Sequence, residues 1–370
     1  WKKRKQKKIK APPGPGKFAA RGYFWRPNHT FIYTAMRNNL SSQITLTRVP
    51  EKYYKPENAY EYSLLTRFEK VRTHIYATME EGAGELAREL ATSIRERQRE
   101  GKQFVLAVPG GRSPYPIFRQ LIRMHREEGL SLRNVVVFLI YEFYPLTNEA
   151  YSNMHLLREV FLDHVDIPKG NVYSPDGFID KNDIYDFCRR YEQRIRECGG
   201  IDCMLLGVGQ AGTIGVNSAG TSVSSRTHLV LMDDTSRKES AQLFRSIDNV
   251  PAGVITMGLG TLMEAAKVVL VAWGENKSRI IRETIEAPAS DAVPSTCLQH
   301  HPNAKVVIDL SAAGQLTRIS HPWLVTPCVW DNKLIRRAIV WLCAQTDKPI
   351  LKLTNKDYSE HGLGELLALY

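Results

Sequence analysis

The amino-acid sequence predicts an α/β fold, a doubly wound, mostly parallel sheet with helices on both faces. Two observations lead to this prediction: short, fully apolar runs of the buried-strand type, and amphipathic stretches that alternate with them along the chain. Strands covered by helices on both faces have such continuous apolar runs. In this Rossmann-like architecture ligands bind beyond the carboxyl ends of the strands, so the turns that follow the strands are the first candidate sites.

The predicted elements follow one another in regular order from residue 76 onward. The segment 76–100 lacks proline and is rich in Glu, Ala, Arg and Leu, which predicts a helix. A second helix is predicted after Pro114, because Ile117, Leu121 and Met124 recur on one helical face. Further helices are predicted at 151–163, 183–198, 236–245 and 276–286, and strands at 104–108, 135–140, 201–208, 254–259, 268–273 and 304–310.

Composition and pattern divide the chain into three predicted parts. Residues 1–35 form a basic leader that is expected to be disordered, and residues 36–318 form the α/β domain. Residues 319–370 form a strand–helix extension, which we expect to be the truncated start of a further module. In the extension, strands are predicted at 323–328 and 350–353, and helices at 331–345 and 359–370.

The net charge of +11 comes from the start of the chain. Of the 50 Lys and Arg residues, 12 lie in the first 50 positions, which hold no Asp or Glu. The other 38 basic residues are balanced by 39 acidic ones. A nearly neutral body lacks the broad basic surface that nucleic-acid binding requires, so we expect no nucleic-acid partner.

The chain has the composition of an ordinary globular protein, with 43% hydrophobic residues and a mean hydropathy of −0.30. It has no apolar run long enough to span a bilayer, so no membrane association is expected. The six cysteines include no CxxC pair, which argues against a disulfide framework or a zinc ribbon. The expected location is the cytoplasm.

The strongest local motif is the turn Pro109-Gly110-Gly111-Arg112-Ser113-Pro114, between a predicted strand and a predicted helix. Glycines allow the backbone to approach a ligand, and a helix start offers free N–H groups to an anion. The turn is therefore a candidate phosphate cradle. A tight strand-to-helix turn that needs glycine only for its geometry explains the motif equally well. The spacing matches neither a Walker loop nor a dinucleotide-binding motif.

Two further junctions lie after predicted strands. One is the glycine-rich segment 205–213, and the other is the segment 140–146, which contains Tyr141 and Glu142. Because the carboxyl ends of parallel strands lie at one edge of a sheet, these segments and the first turn are expected to converge on a pocket.

Five segments of the chain, taken together and in order, carry a resemblance to a known family. They are FVLAVPGGRSP, LRNVVVFLIYEFYPL, FLDHVDIPKGNVYSPDG, YEQRIRECGGIDCMLLGVGQAG and VITMGLGTLMEAAKVVLVAWGENKS. These segments resemble glucosamine-6-phosphate deaminase and the wider group of sugar-phosphate isomerases and 6-phosphogluconolactonases. The resemblance extends over residues 75–318. It is closest to a variant branch in which a deacetylase-like module follows, so such a fused module is expected here.

The resemblance implies an aldose–ketose isomerisation coupled to loss of ammonia, with a sugar phosphate as partner, no organic cofactor and no metal. The family's base is an Asp where this chain has Tyr141. Its ring-opening Asp, His and Glu fall at Ala211, Thr213 and Ser218, and its phosphate-binding Arg falls at Gln242. All five positions differ from the family pattern.

The phosphate-binding and substrate-binding residues implied by the resemblance are largely retained. They are Gly110, Gly111, Arg112, Ser113, Gly209 and Lys277. In allosterically activated relatives a second phosphate site uses basic residues at positions that include those of His228 and Val230 here, so that regulation is not expected.

The substitutions predict a site that binds without efficient turnover. Tyr141, with an ordinary pKa of about 10, would have to lose about three pKa units, or about 4 kcal/mol, to act as a base at neutral pH. Glu142 is the remaining carboxylate beside that position. It is either a substitute catalytic base or a loop-stabilising residue, its role in the family, and we favour the second interpretation.

No histidine stands at a sequence spacing that would identify it as a catalytic residue. Cys297 lies near His300 and His301, but no carboxylate stands at ligand spacing, so no metal site is predicted. Three functional hypotheses remain. The first is a sugar-phosphate-binding protein with degraded deamination machinery. The second is an active isomerase or lactonase that uses Glu142, and the third is a structural or regulatory domain of a longer protein. A homo-oligomer is compatible with each.

Overall fold

A computed structural model describes residues 49–368, so the predicted leader lies outside the described residues. A seven-stranded parallel sheet forms its centre, in the spatial order β1-β10-β9-β6-β2-β3-β5. This sheet confirms the predicted α/β fold. Its strands are β1 Arg72–Tyr76, β2 Phe104–Val108, β3 Val135–Leu139, β5 Val172–Tyr173, β6 Cys203–Leu206, β9 Val268–Ala272 and β10 Ala304–Asp309.

Twelve α-helices accompany the strands within residues 49–368. They are α1 Ala59–Leu65, α2 Met79–Arg99, α3 Tyr115–Glu128, α4 Asn153–Val160, α5 Ile184–Glu197, α6 Asp234–Phe244, α7 Leu259–Met263, α8 Ser278–Glu286, α9 Thr317–Ser320, α10 Asn332–Thr346, α11 Asn355–Glu360 and α12 Gly364–Ala368. The described helices include none that is long and apolar enough to cross a bilayer.

Side chains of the central strands alternate between two hydrophobic cores, one on each face of the sheet. In β2, Val105 and Ala107 belong to the core that includes α5 and α8, whereas Phe104 and Leu106 belong to the core that includes α2 and α3. Each face of the sheet is therefore covered by helices, which explains why the strands are apolar at consecutive positions.

A second, three-stranded antiparallel sheet corrects two predictions. It consists of β4 Tyr141–Tyr144, β8 Gly253–Thr256 and β7 His228–Leu231, in the order β4-β8-β7. The strand predicted at 254–259 thus lies outside the parallel sheet. The segment after β3, expected to be a turn, is largely the strand β4, because its backbone pairs with β8.

The start of the first predicted helix is also corrected. The segment predicted to begin a helix at residue 76 first completes β1, an edge strand whose mixed exposure gives no apolar run. Helix α2 begins at Met79, because the side chain of Thr78 caps it by accepting a hydrogen bond from the Glu81 N–H.

The extension at 319–370 contains helices but no strand within its described residues, which corrects the strand–helix prediction. Three-residue 3₁₀ turns, each beginning at or just after a proline, occupy Pro322–Leu324 and Ile350–Lys352 in place of the predicted strands. The helix predicted at 331–345 is confirmed as α10. The helix predicted at 359–370 is replaced by the short helices α11 and α12. Gly362 separates them with a φ of +71°, which ends a helix.

Candidate functional site

The turns after β2, β6 and β9 meet at the carboxyl edge of the parallel sheet. The Ser113 Oγ lies 3.0 Å from the position that a β-carbon on Gly207 would take. Trp273, directly after β9, donates an indole hydrogen bond of 2.9 Å to the Ser113 carbonyl oxygen. The structure thus brings together the glycine-rich turns that the sequence singled out.

Close contacts explain the glycines of the β6 turn. A β-carbon on Gly209 would lie 2.2 Å from the Thr213 Oγ1, so a larger residue cannot fit without moving the loop. The Gly209 N–H also donates a 2.9 Å hydrogen bond to the Thr213 carbonyl, which folds the loop back on itself. These contacts fix the conformation of the turn after β6.

The first turn lies between the second sheet and the helix α6. Gly110 packs against the Asn153 side chain, and Gly111 faces the hydroxyl of Tyr141, which lies 3.7 Å from where a Gly111 β-carbon would be. Arg112 is exposed, with its Nη1 3.4 Å from the Gln242 Oε1. The candidate binding residues of this turn thus lie beside Tyr141 and Gln242, the residues predicted to stand at the family's base and phosphate-arginine positions.

Tyr141 belongs to β4 and points its hydroxyl toward the first turn. Burial raises the pKa of this hydroxyl well above its ordinary value, and the nearby carboxylates of Glu142 and Glu239 raise it further. A phenol with a raised pKa stays protonated at neutral pH. Tyr141 can therefore donate a hydrogen bond to a ligand but cannot accept a proton from one.

Glu142 faces away from the turn and is almost fully buried, at 1% exposure. Its Oε1 accepts hydrogen bonds of 2.9 Å from the N–H groups of Phe143 and Asn153. Its Oε2 accepts a hydrogen bond of 2.7 Å from the Ser152 hydroxyl and one of 3.1 Å from the Met154 N–H. Burial raises the pKa of Glu142 and these four donors oppose the rise. The contacts join β4 to the start of α4, which favours the loop-stabilising interpretation.

The three loop positions predicted to correspond to the family's ring-opening residues carry no acid or base. Ala211 is exposed, Thr213 is buried, and the Ser218 hydroxyl donates a 3.0 Å hydrogen bond to the Asp233 Oδ2. Asp233 in turn caps α6 by accepting a hydrogen bond from the Ser236 N–H. The Ser218 hydroxyl thus connects the loop to the start of α6.

Two residues at the site had not been predicted from the sequence. Trp273 is one, and the other is Glu239 on α6, whose Oε1 lies 3.0 Å from the Gln210 backbone nitrogen and 3.4 Å from the Lys277 Nζ. Lys277 lies in the 3₁₀ turn after β9. The only sequence signal for Glu239 is that it precedes Gln242 by about one helical turn, so the two share a helix face.

The described residues offer no metal site, since they contain no group of three His, Cys, Asp or Glu side chains able to hold an ion. His301, predicted to have no metal role, is buried. Its Nε2 forms a hydrogen bond with the Ala265 carbonyl oxygen, and its Nδ1 accepts a hydrogen bond from the Asn303 N–H. His228 lies in β7 with its Nδ1 2.7 Å from the Arg226 carbonyl oxygen. These histidines have backbone partners away from the glycine turns.

The doubly wound sheet, with glycine turns converging at its carboxyl edge, defines a Rossmann-like α/β protein. Residues 77–308 match the family described as glucosamine-6-phosphate isomerases/6-phosphogluconolactonase. The chain belongs to this family.

Similar proteins support the assignment. A glucosamine-6-phosphate deaminase-like protein of Bacteroides thetaiotaomicron is 57% identical over 336 residues, which cover 90% of this chain and 51% of that protein. The chain thus spans about half of that relative. The glucosamine-6-phosphate deaminase of Bacillus velezensis is 36% identical over 62% of this chain and 95% of its own length.

Solved structures agree with the fold. A monomeric glucosamine-6-phosphate deaminase superposes with a TM-score of 0.62 at 33% identity, covering 66% of this chain and 99% of that one. The 6-phosphogluconolactonase of Trypanosoma brucei has a TM-score of 0.55 at 20% identity, covering 67% and 99%. At that identity the second similarity concerns the fold alone.

Proposed function

We propose that this protein binds a sugar phosphate at the glycine turns and that it lacks efficient deaminase activity. Relatives that are 34–39% identical are named glucosamine-6-phosphate deaminases, which supports a phosphorylated amino sugar as the ligand class. Soluble phosphosugars are held mainly by backbone N–H groups, hydroxyls and cations, and this site supplies all three.

One contrast carries the proposal: the Ser113 hydroxyl, the Lys277 ammonium and the glycine backbone can hold an anion, whereas the positions predicted for the family's base and ring-opening residues carry Tyr141, Ala211, Thr213 and Ser218. Tyr141 stands where the family has its base, and burial raises its pKa further from neutrality. Each positioned acid or base contributes about 10²–10⁴ in rate, so the loss of the base and the ring-opening residues leaves little turnover.

The binding groups that support the proposal are the Ser113 hydroxyl, the backbone of the two glycine turns and the Lys277 ammonium. Gln242 is predicted to stand at the position of the family's phosphate-binding arginine, and it supplies a neutral amide instead of a charged guanidinium group. Because hydrogen bonds from a guanidinium are roughly twice as strong as neutral ones, we expect binding in the micromolar to millimolar range.

Catalysis by Glu142 is the less favoured alternative. Both of its oxygens are already engaged by four donors inside the fold, so proton abstraction would first require β4 and α4 to separate. A purely structural or regulatory role is the other alternative, supported by the twofold greater length of the Bacteroides relative.

Two measurements on the full chain test the proposal. In the first, ammonia release from glucosamine 6-phosphate should stay far below about 1 s⁻¹, an ordinary enzyme rate. In the second, calorimetry should detect binding of glucosamine 6-phosphate but not of glucosamine. Ser113→Ala should weaken that binding about tenfold, because it removes a hydroxyl donor at the turn.

Ser93→Ala, on α2 and outside the glycine turns, is the matched control and should bind like the parent protein. Ammonia release at about 1 s⁻¹ or faster would contradict the loss of deaminase activity. Absence of any phosphosugar binding would contradict the ligand and favour the structural role.

A further inference from the structure

A carboxylate of the protein itself lies among the anion-binding groups of the site. Glu239 projects from α6 so that its Oε1 accepts a 3.0 Å hydrogen bond from the Gln210 N–H. The same oxygen lies 3.4 Å from the Lys277 Nζ. Its Oε2 lies 3.2 Å from where a β-carbon on Gly209 would be. Glu239 therefore rests on the backbone of the β6 turn.

These contacts are the ones a bound anion would make. A backbone N–H in a glycine-rich turn and a lysine ammonium are ordinary ligands of phosphate oxygens. The Glu239 carboxylate occupies the positions that a ligand phosphate would take. Its contact with Lys277 also neutralises the ammonium group that, under the proposed function, binds this phosphate.

The exposure of both side chains allows the contact between Glu239 and Lys277 to open. The Glu239 side chain is 31% exposed and that of Lys277 is 20% exposed, so the carboxylate has water on one side and can rotate away from the turn. Gln242, on the same face of α6, is exposed and offers no positive charge to hold the carboxylate elsewhere. Arg112 lies against Gln242 and not against Glu239.

We infer that Glu239 is a specificity-determining residue that occupies the anion-binding turn and that a ligand phosphate must displace. This inference rests on the proposed function, because it concerns the same turn. Displacement releases the Gln210 N–H and the Lys277 ammonium to the phosphate and leaves a carboxylate nearby. Glu239 thereby weakens binding of every phosphorylated ligand and leaves neutral sugars unaffected.

Calorimetry with inorganic phosphate and with glucosamine 6-phosphate tests the inference on the full chain. Glu239→Gln should bind both ligands about tenfold more tightly than the parent protein, equivalent to about 1.4 kcal/mol. Adding Lys277→Gln to Glu239→Gln should remove most of this gain, because the released ammonium then no longer contributes.

The matched control is Asp234→Asn, which removes the same charge from an exposed position on the same helix and should change affinity by no more than about twofold. If the parent binds and Glu239→Gln binds no more tightly, the inference is wrong and the proposed function stands. If only Glu239→Gln binds, the inference holds and the parent chain does not bind phosphosugars. If neither binds, both are wrong.

Discussion

At the residue scale, two adjacent side chains on β4 have opposite surroundings. Tyr141 points its hydroxyl to the glycine turn, whereas Glu142 points into the protein and accepts four hydrogen bonds. Alternation along a strand explains this division, since successive side chains face opposite sides. The carboxylate nearest to the family's base position is therefore turned away from the ligand turn.

Glu142→Gln should lower the free energy of unfolding by about 1–3 kcal/mol. An amide accepts hydrogen bonds through one oxygen only, so its NH2 group must face either the N–H groups of Phe143 and Asn153 or the Ser152 hydroxyl and the Met154 N–H. Urea unfolding of the full chain measures the change. Glu149→Gln, exposed in the following turn, is the control and should leave stability unchanged. A variant as stable as the parent that had lost a measurable isomerase or lactonase activity would instead identify Glu142 as a catalytic base.

At the element scale, the extension forms a small core of its own around α10 and the aromatic residues near it. Trp323, Ala338, Leu342, Leu363 and Leu366 are buried together. The His321 ring joins this cluster, with its centroid 5.2 Å from that of Trp323 and 6.0 Å from that of Trp341. An imidazole among indole rings, with two arginines nearby, is an unfavourable place for a positive charge.

His321 should make the protein less stable as the pH falls. Burial, together with Arg282 and Arg337, lowers the pKa of His321 from 6.5 to about 4. The unfolded state therefore takes up a proton before the folded state does, so stability present above pH 6.5 is lost as the pH falls towards 4. Between neutral pH and pH 5, the loss from this residue should be about 1–2 kcal/mol.

Urea unfolding of the parent protein and of His321→Gln at the two pH values measures this loss. The variant should show the shallower decrease, and His300→Gln, at an exposed histidine, should behave like the parent. Equal decreases in His321→Gln and the parent would exclude His321 as the cause.

At the scale of the whole molecule, a buried ion pair joins distant parts of the described chain. The Arg318 Nε lies 2.8 Å from the Glu69 Oε1, and the two side chains are 1% and 3% exposed. The Nε–H is not aligned as a hydrogen bond, whereas the Arg318 Nη2 donates a 3.4 Å hydrogen bond to the Glu69 Oε2. Burial raises the pKa of Glu69 to about 7, although the Arg318 charge acts in the opposite direction. The ion pair between Glu69 and Arg318 thus connects the segment before β1 to helix α9.

Arg318→Met should cost about 3–5 kcal/mol of stability, because it leaves the Glu69 carboxyl buried without its partner. The double variant Glu69→Leu with Arg318→Met should recover most of this loss, since two apolar side chains can fill the same space. Urea unfolding of the single and double variants measures both effects. A single variant within about 1 kcal/mol of the parent would contradict the importance of the pair.

Much of the site was predictable because its signals are local. A glycine turn after an apolar strand is visible in the sequence, and parallel topology then brings Ser113 and Gly207 to one edge. The contact of Glu239 with Lys277 was not predictable, because it joins two solvent-facing residues on separate elements that carry no shared motif. Likewise, the neighbouring sequence contains no pattern that predicts the burial of Glu142 or its four hydrogen-bond donors.

The sequence by itself determined the parallel sheet, its covering helices and the family, because apolar runs, amphipathic periods and glycine turns are properties of short segments. Only the tertiary structure decided that β4, β7 and β8 form a separate antiparallel sheet, since strand pairing depends on partners far along the chain. It also decided that residues 319–368, the described part of the extension, fold without strands. Most of all, it decided that the Glu239 carboxylate reaches the turn after β6, because that contact depends on how α6 packs against the sheet edge.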